Sequence, residues 1–158
     1  HPEVKLVIAP HVIDENHLVE IIRKLKRPYV RYTRADEKNV RKADCLIIDC
    51  FGLLSSIYRY GEIAYIGGGF GVGIHNTLEA AVYGIPVIFG PKYQKFQEAI
   101  QLLEAKGAFS VKDYEELKTL LDRMLTDEVF LRESGMNASN YVTGNAGATD
   151  KIMSMINF

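Results

Sequence analysis

A glycine-rich segment between residues 67 and 79 carries the residue types best suited to binding an anion. Five glycines fall within seven positions: Gly67, Gly68, Gly69, Gly71 and Gly73. Because glycine has no Cβ atom, the backbone N–H groups of such a loop can approach a ligand closely. A helix predicted over 76–83 follows the loop, and its dipole favours an anion at its start, where Thr77 adds a hydroxyl. The segment therefore predicts a phosphate-binding loop.

Glu79 lies one turn into the predicted helix. A carboxylate so placed can accept hydrogen bonds from both hydroxyls of a ribose while the phosphate lies at the helix start. His75 either contacts the phosphate or caps the helix. The alternative interpretation of the whole segment is a flexible turn followed by a surface glutamate.

Several other chemistries are not indicated. The glycine spacing is not a dinucleotide fingerprint, which should follow the first strand, and no Gly-Lys-Ser/Thr sequence of a triphosphate-binding loop occurs. No nucleophile–base–orienter trio or carboxylate pair is visible, so we predict no catalytic centre within this chain and no metal requirement. The net charge of −1 offers no basic field for nucleic acid. Cys45 and Cys50 would lie roughly 16 Å apart on a strand, beyond disulfide reach.

Short apolar runs alternate with amphipathic segments along the 158 residues. The runs predict six strands, over 4–9, 29–33, 45–49, 63–66, 86–89 and 108–111. The intervening periodicity predicts helices over 14–27, 76–83, 94–106, 113–125, 127–141 and 150–156, with Asp14 and Asp113 as caps. Strands that alternate with helices indicate one α/β domain with a Rossmann-like, doubly wound parallel sheet of about six strands.

In such a sheet, ligands bind beyond the carboxyl ends of the strands, so the loops that follow the strands are the ones to inspect. His11 follows the first strand and either reaches the ligand crevice or is a plain loop residue. Lys92 and Lys95 follow the fifth strand, and each is either a cationic contact to an acidic sugar or a solvated surface residue.

Two stretches, YIGGGF (65–70) and HNTLEAAVYGIPVIFGP (75–91), resemble the C-terminal half of bacterial 3-deoxy-D-manno-octulosonic acid (Kdo) transferases. These are glycosyltransferases of the B type, with two Rossmann-like domains. The segments APH (9–11), CFGLL (50–54) and IY (57–58) are similar to further parts of that family. The resemblance implies that Gly52 to Leu54 lie along a cytosine, that Gly68 to Asn76 cradle a phosphate and a sugar acid, and that Glu79 holds a ribose.

The donor-binding residues implied are Pro10, His11, Phe51, Gly52, Leu53, Leu54, Gly68, Gly69, Phe70, Gly73, Ile74, His75, Asn76, Thr77 and Glu79. Four of these depart from the family pattern: His11 replaces Arg, Leu53 replaces Glu, Gly69 replaces Ser, and Ile74 replaces Gly in a loop about one residue shorter. Arginine offers a bidentate fork that histidine cannot. The donor sugar therefore stays less defined than the fold.

The resemblance implies that residues 1–158 are the CMP-Kdo-binding domain of an enzyme that transfers Kdo to the lipid A precursor in lipopolysaccharide synthesis. The acceptor-binding domain, which supplies the catalytic base, would be absent, and the start at His1 without a methionine suggests a cut at a domain boundary. We expect a soluble fragment, inactive alone and without a cofactor, from a parent at the cytoplasmic face of the inner membrane. The chain could alternatively be half of a UDP-sugar transferase or epimerase of the same fold, or a stand-alone nucleotide-binding module.

Overall fold

The computed structural model describes residues 1–71 and 73–155. Contacts between Cα atoms divide the chain into two compact units, unit 1 (His1–Ser56) and unit 2 (Ile57–Phe158). Each unit contains a three-stranded parallel sheet. The α/β class and the six parallel strands predicted from the sequence are confirmed, with the strands paired in two groups of three.

Unit 1 is built around a central strand. Its elements are β1 (Leu6–Ile8), α1 (Glu15–Lys24), β2 (Tyr29–Arg31), a 3-10 turn (Tyr32–Arg34), α2 (Glu37–Val40), β3 (Cys45–Ile47) and α3 (Leu54–Ile57), which ends just beyond the unit. The strand order is β1-β3-β2, and Leu46 is in register with both Val7 and Val30. Leu18 of α1 packs against Cys45 and Ile47 to form the core of this unit.

Unit 2 contains β4 (Ala64–Tyr65), α4 (Leu78–Ala81), β5 (Val87–Phe89), α5 (Gln97–Glu104), β6 (Ala108–Ser110), α6 (Tyr114–Thr126), α7 (Glu128–Gly144) and α8 (Ala148–Met155), after a 3-10 turn (Tyr58–Tyr60). The strand order is β4-β5-β6, and every residue of the central β5 is buried. Since successive strand side chains point to opposite faces, β5 contributes to two cores.

The two cores of unit 2 lie on the opposite faces of its sheet. Phe89 belongs to the larger cluster, with Leu102 of α5 and Ala138 of α7, whereas Ile88 packs with Met124 of α6. A Cβ atom built on Gly107 would lie 2.6 Å from the Cα atom of Ala138. The backbone before β6 therefore packs directly on α7, and both sheet faces are covered by helices, as a doubly wound fold requires.

Helix boundaries differ from the predicted ones in instructive ways. Asp14 and Asp113 cap α1 and α6 as predicted, since their carboxylates accept hydrogen bonds from backbone N–H groups three residues on. The predicted helix 76–83 is the single turn α4. The last predicted helix, 150–156, corresponds to α8, but Ile156 lies outside the described residues.

Across residues 1–71 and 73–155, no helix has the length and apolar character needed to cross a membrane.

Candidate functional site

The glycine loop, residues 67–75, leaves β4 and folds back on itself; its Val72 lies outside the described residues. The N–H group of His75 donates to the carbonyl of Gly67 at 3.2 Å, and that of Gly69 donates to the carbonyl of Gly73 at 2.7 Å. Gly68 and Ile74 face each other as an antiparallel bridge. Ile74 is buried in the larger core of unit 2, which anchors the returning arm of the loop.

Two of the glycines cannot be replaced without strain. Gly68 has φ +90° and Gly69 φ +80°, a region that favours glycine. A Cβ atom on Gly68 would lie 2.1 Å from the carbonyl oxygen of Gly73, and one on Gly69 would lie 2.7 Å from the Cα atom of Gly90. Any side chain at position 69 would therefore meet the backbone of Gly90 in this structure. Gly71, by contrast, faces open space.

Lys92 connects the segment after β5 to the glycine loop. Its backbone N–H group donates to the carbonyl of Gly69 at 2.9 Å, and its ammonium donates to the carbonyl of Gly71 at 3.1 Å. Lys92 is exposed, yet it is hydrogen-bonded to the loop rather than only to solvent. Lys95, the second lysine of this segment, is exposed.

Asn76 organises the end of the loop. Its Oδ1 accepts a hydrogen bond from the N–H group of Leu78 at 3.0 Å, and its Nδ2 donates to Oε1 of Glu79 at 3.0 Å. Asn76 therefore accepts the capping hydrogen bond of α4 and lies before the helix, not in its first turn. This turn explains why the helix predicted from residue 76 begins at Leu78.

Thr77 and Glu79 have different surroundings. Thr77 is 1% exposed, and its hydroxyl has no hydrogen-bond partner among the described residues. Glu79 is half-buried beside Tyr58, whose pKa is raised first by burial and then by the negative charge of Glu79. Phe70 and His75 are exposed. The loop, the Asn76 amide and the Glu79 carboxylate thus form one continuous polar segment in unit 2, named here the loop site.

The predicted residues of unit 1 follow β1 and β3. Pro10 and His11 come after β1, and the segment 51–54 comes after β3; because these strands are parallel neighbours, both segments lie at the same edge of the sheet. Phe51 is 81% exposed and Leu54 is 43% exposed. Leu53 is half-buried, and Gly52 has φ +87° with open space around it.

Sequence reasoning missed a buried charge at this same edge. The Asp49 side chain is 1% exposed and accepts hydrogen bonds from Nε of Arg31 at 2.8 Å and from the N–H and hydroxyl groups of Thr33 at 2.9 and 2.6 Å. Nη1 of Arg31 also donates to Glu15 at 2.8 Å. Burial alone would raise the pKa of Asp49, but the hydrogen bonds from Thr33 and Arg31 lower it to about 2. An acidic residue directly after the apolar run 46–48 was the available signal.

The remaining reactive groups are sparse. Both cysteines are free; Cys45 is buried, burial raises the pKa of its thiol, and Cys50 is half-buried. Within residues 1–71 and 73–155, no group of three or more His, Cys, Asp or Glu side chains is placed to hold a metal ion.

No family model matches the chain. Its fold is similar to the crystal structure of the C-terminal CMP-Kdo binding domain of WaaA from Acinetobacter baumannii, with a TM-score of 0.76 over 89% of this chain and 75% of that chain, at 18% identity. By sequence it is 36% identical over 128 residues to the 3-deoxy-D-manno-octulosonic acid transferase of Aquifex aeolicus, covering 80% of this chain and 35% of that protein. The corresponding enzyme of Rickettsia bellii is 32% identical over 116 residues, covering 72% of this chain and 28% of that protein.

The chain is thus a homologue of one part of the Kdo transferases, as the resemblance at 65–70 and 75–91 predicted. It spans about a third of the length of these curated relatives.

Proposed function

We propose that residues 1–158 form the donor-binding domain of a Kdo transferase and bind CMP-Kdo. The names of the sequence relatives support the enzyme class, and the fold likeness to a CMP-Kdo binding domain supports the ligand. The observation that carries the proposal is the hydrogen bond between Asn76 and Glu79 at the end of the glycine loop. It holds a carboxylate in place beside a loop whose backbone is compact and free of side-chain bulk at Gly68 and Gly69.

In the proposed complex, backbone N–H groups of the glycine loop receive the phosphate of CMP, and Glu79 accepts hydrogen bonds from the ribose hydroxyls. The contact of the segment 51–54 with the cytosine stays a prediction from the family resemblance. Since α4 has only four residues, charge stabilisation comes from the loop N–H groups and the Lys92 ammonium more than from a helix dipole.

The reaction proposed for the longer enzyme is a displacement at the anomeric carbon of Kdo. The acceptor hydroxyl of the lipid A precursor attacks that carbon, its bond to the CMP phosphate oxygen breaks, and CMP leaves. A carboxylate base from a separate acceptor-binding domain takes the hydroxyl proton. The glycine loop lowers the barrier by stabilising the charge that develops on the departing phosphate. The longer enzyme would work at the cytoplasmic face of the inner membrane.

A nucleotide titration followed by NMR tests the proposal. We expect CMP to bind more tightly than UMP or UDP and to shift the amide resonances of residues 67–71, 73–77 and 52–54. Tighter binding of UDP would favour the UDP-sugar transferase or epimerase alternative. Shifts confined to other residues would show that the loop site is wrongly assigned.

Substitution of Glu79 tests the ribose contact. We expect Glu79→Ala to weaken CMP binding by about 1–3 kcal/mol, because a charge-assisted hydrogen-bond partner is lost. Glu104→Ala, which removes an exposed carboxylate from the end of α5, is the matched control. Equal CMP affinities of the two variants, measured by calorimetry, would contradict the assignment of Glu79 to the ribose.

A further inference from the structure

Lys92 is the residue through which the segment after β5 holds the glycine loop. It makes two hydrogen bonds to two different carbonyl groups of the loop, Gly69 through its backbone N–H at 2.9 Å and Gly71 through its ammonium at 3.1 Å. The first bond extends the close contact between Gly69 and Gly90. The second bond reaches the exposed tip of the loop.

The tip needs such a bond because packing does not fix it. The base of the loop is closed by the bonds of His75 to Gly67 and of Gly69 to Gly73. A Cβ atom on Gly71 would meet nothing within 4 Å, so no distant part of the chain packs against that position. Glycine loses more backbone entropy on ordering than any other residue. The hydrogen bond from Lys92 to Gly71 offsets part of that entropy cost.

The geometry of the peptide group links these bonds to anion binding. In a trans peptide the C=O and N–H groups point in opposite directions. When the carbonyl of Gly69 points to Lys92, the N–H group of Phe70 in the same peptide points away from Lys92. Carbonyl oxygens carry partial negative charge and repel a phosphate, whereas N–H groups attract it. Lys92 therefore draws carbonyls to one side of the loop and leaves an N–H group directed to the other.

We propose that Lys92 is a positioning residue for phosphate binding: its backbone N–H and its ammonium fix the orientation of the Gly69 and Gly71 carbonyl groups. This inference rests on the proposed function, in which the glycine loop receives the phosphate of CMP. Lys92 acts through the loop and also neutralises part of the charge of its carbonyl groups.

Lys92→Met separates the two bonds, since methionine keeps the backbone N–H and the chain's reach but removes the ammonium. Lys95→Met removes the same charge from the same segment, and in the part of the chain that the structure describes Lys95 makes no hydrogen bond to the loop. Both variants are compared with the unsubstituted chain for thermal stability, for amide hydrogen exchange of Gly69 and His75 without ligand, and for binding of CMP and cytidine by calorimetry.

We expect Lys92→Met to speed exchange several-fold at Gly69 and His75, whose N–H groups close the turn that carries Gly71. We also expect it to raise the Kd for CMP about three- to tenfold, the scale of one hydrogen bond. The Kd for cytidine, which has no phosphate, should change less than twofold, and so should the CMP affinity of Lys95→Met. A general loss of structure would instead weaken both ligands.

Three results would overturn the inference: unchanged loop exchange in Lys92→Met, equal losses for CMP and cytidine, or an equal effect of Lys95→Met. Failure of the proposed function has a different signature, because the unsubstituted chain would then show no preference for CMP. The exchange measurement without ligand reports on Lys92 in either case.

Discussion

In unit 1, the chain after β2 is tied to the end of β3 by charged side chains, whereas in unit 2 the chain after β4 is tied to the end of β5 by the backbone itself. Asp49 gathers Arg31 and Thr33 through hydrogen bonds of 2.6–2.9 Å. Gly69 approaches Gly90 so closely that a Cβ atom on Gly69 would lie 2.7 Å from the Cα atom of Gly90. The two sheets therefore hold the loops at the ends of their strands by different physical means.

The difference predicts different sensitivities. A buried charge network depends on the ionisation of its carboxylate and on keeping every partner, because an unpaired buried charge is strongly destabilising. A backbone contact through glycine is indifferent to pH but has no room for a single methyl group. Removing a buried charge should therefore destabilise unit 1, and adding side-chain volume at a glycine should destabilise unit 2.

Removal of the Asp49 carboxylate should have the largest effect. Asp49→Ala leaves the Arg31 guanidinium and the Thr33 N–H group without their shared acceptor, and we expect a loss of about 3–5 kcal/mol in the free energy of unfolding. Asp44→Ala is the control, since Asp44 pairs with Lys5 at the surface and such pairs contribute about 0–1 kcal/mol. Urea unfolding combined with hydrogen exchange at β2 and β3 measures both. If Asp49→Ala lowers the free energy of unfolding no more than Asp44→Ala does, the hydrogen bonds of Asp49 are not what stabilises unit 1.

Added volume at Gly107 should come next. A Cβ atom there would lie 2.6 Å from both the N and Cα atoms of Ala138, so α7 must shift, and Gly107→Ala should lower the free energy of unfolding by up to about 3 kcal/mol. Gly144→Ala adds the same methyl group at the end of α7, where a Cβ atom meets nothing within 4 Å. Thermal unfolding should show that only Gly107→Ala is destabilising. Equal stabilities of the two variants would contradict the prediction that unit 2 is sensitive to added side-chain volume.

Acid should weaken unit 1 through Asp49. Its pKa in the folded chain is about 2, below the ordinary value of 3.8. The ionised carboxylate therefore contributes stability that is fully present above about pH 4 and is lost as the pH falls through 2. The loss should be about 2 kcal/mol. Urea unfolding between pH 5 and pH 2 measures it, and Asp49→Asn should flatten the acid limb; an equally steep limb in that variant would assign the acid sensitivity to other groups.

The smallest effect is expected at Asn76, where unit 2 does use a side chain. Asn76→Ala removes the acceptor for the Leu78 N–H group and the donor to Glu79, and should cost about 1 kcal/mol. Asn76→Asp keeps the acceptor but places a second carboxylate beside Glu79. If Asn76→Asp is as stable as the unsubstituted chain while binding CMP more weakly, the two roles of Asn76 are separated.

The parts of the fold that depend on local chemistry were predictable from the sequence. Asp14 and Asp113 cap their helices because a carboxylate three residues before an N–H group needs no distant partner. The apolar runs around Cys45 and Val87 form strands because their side chains are buried on both faces of a sheet. The glycine loop was recognisable by composition alone.

The missed features depend on residues far apart in the sequence. The partners Arg31 and Asp49 are separated by 18 residues, and no local pattern records that β2 and β3 are neighbours. The close approach of Gly69 to Gly90 likewise requires knowledge of which loops meet. At residue 76 a local rule gave the wrong helix start, because the asparagine side chain takes the place of a first helical turn.

The two thiols differ in a way that allows a reporter group to be attached beside the segment 51–54. Cys45 is buried, and the raised pKa of its thiol keeps it protonated and unreactive, whereas Cys50 is half-buried and immediately precedes the segment 51–54. A maleimide fluorophore should therefore label the native chain at a single position without any engineered cysteine.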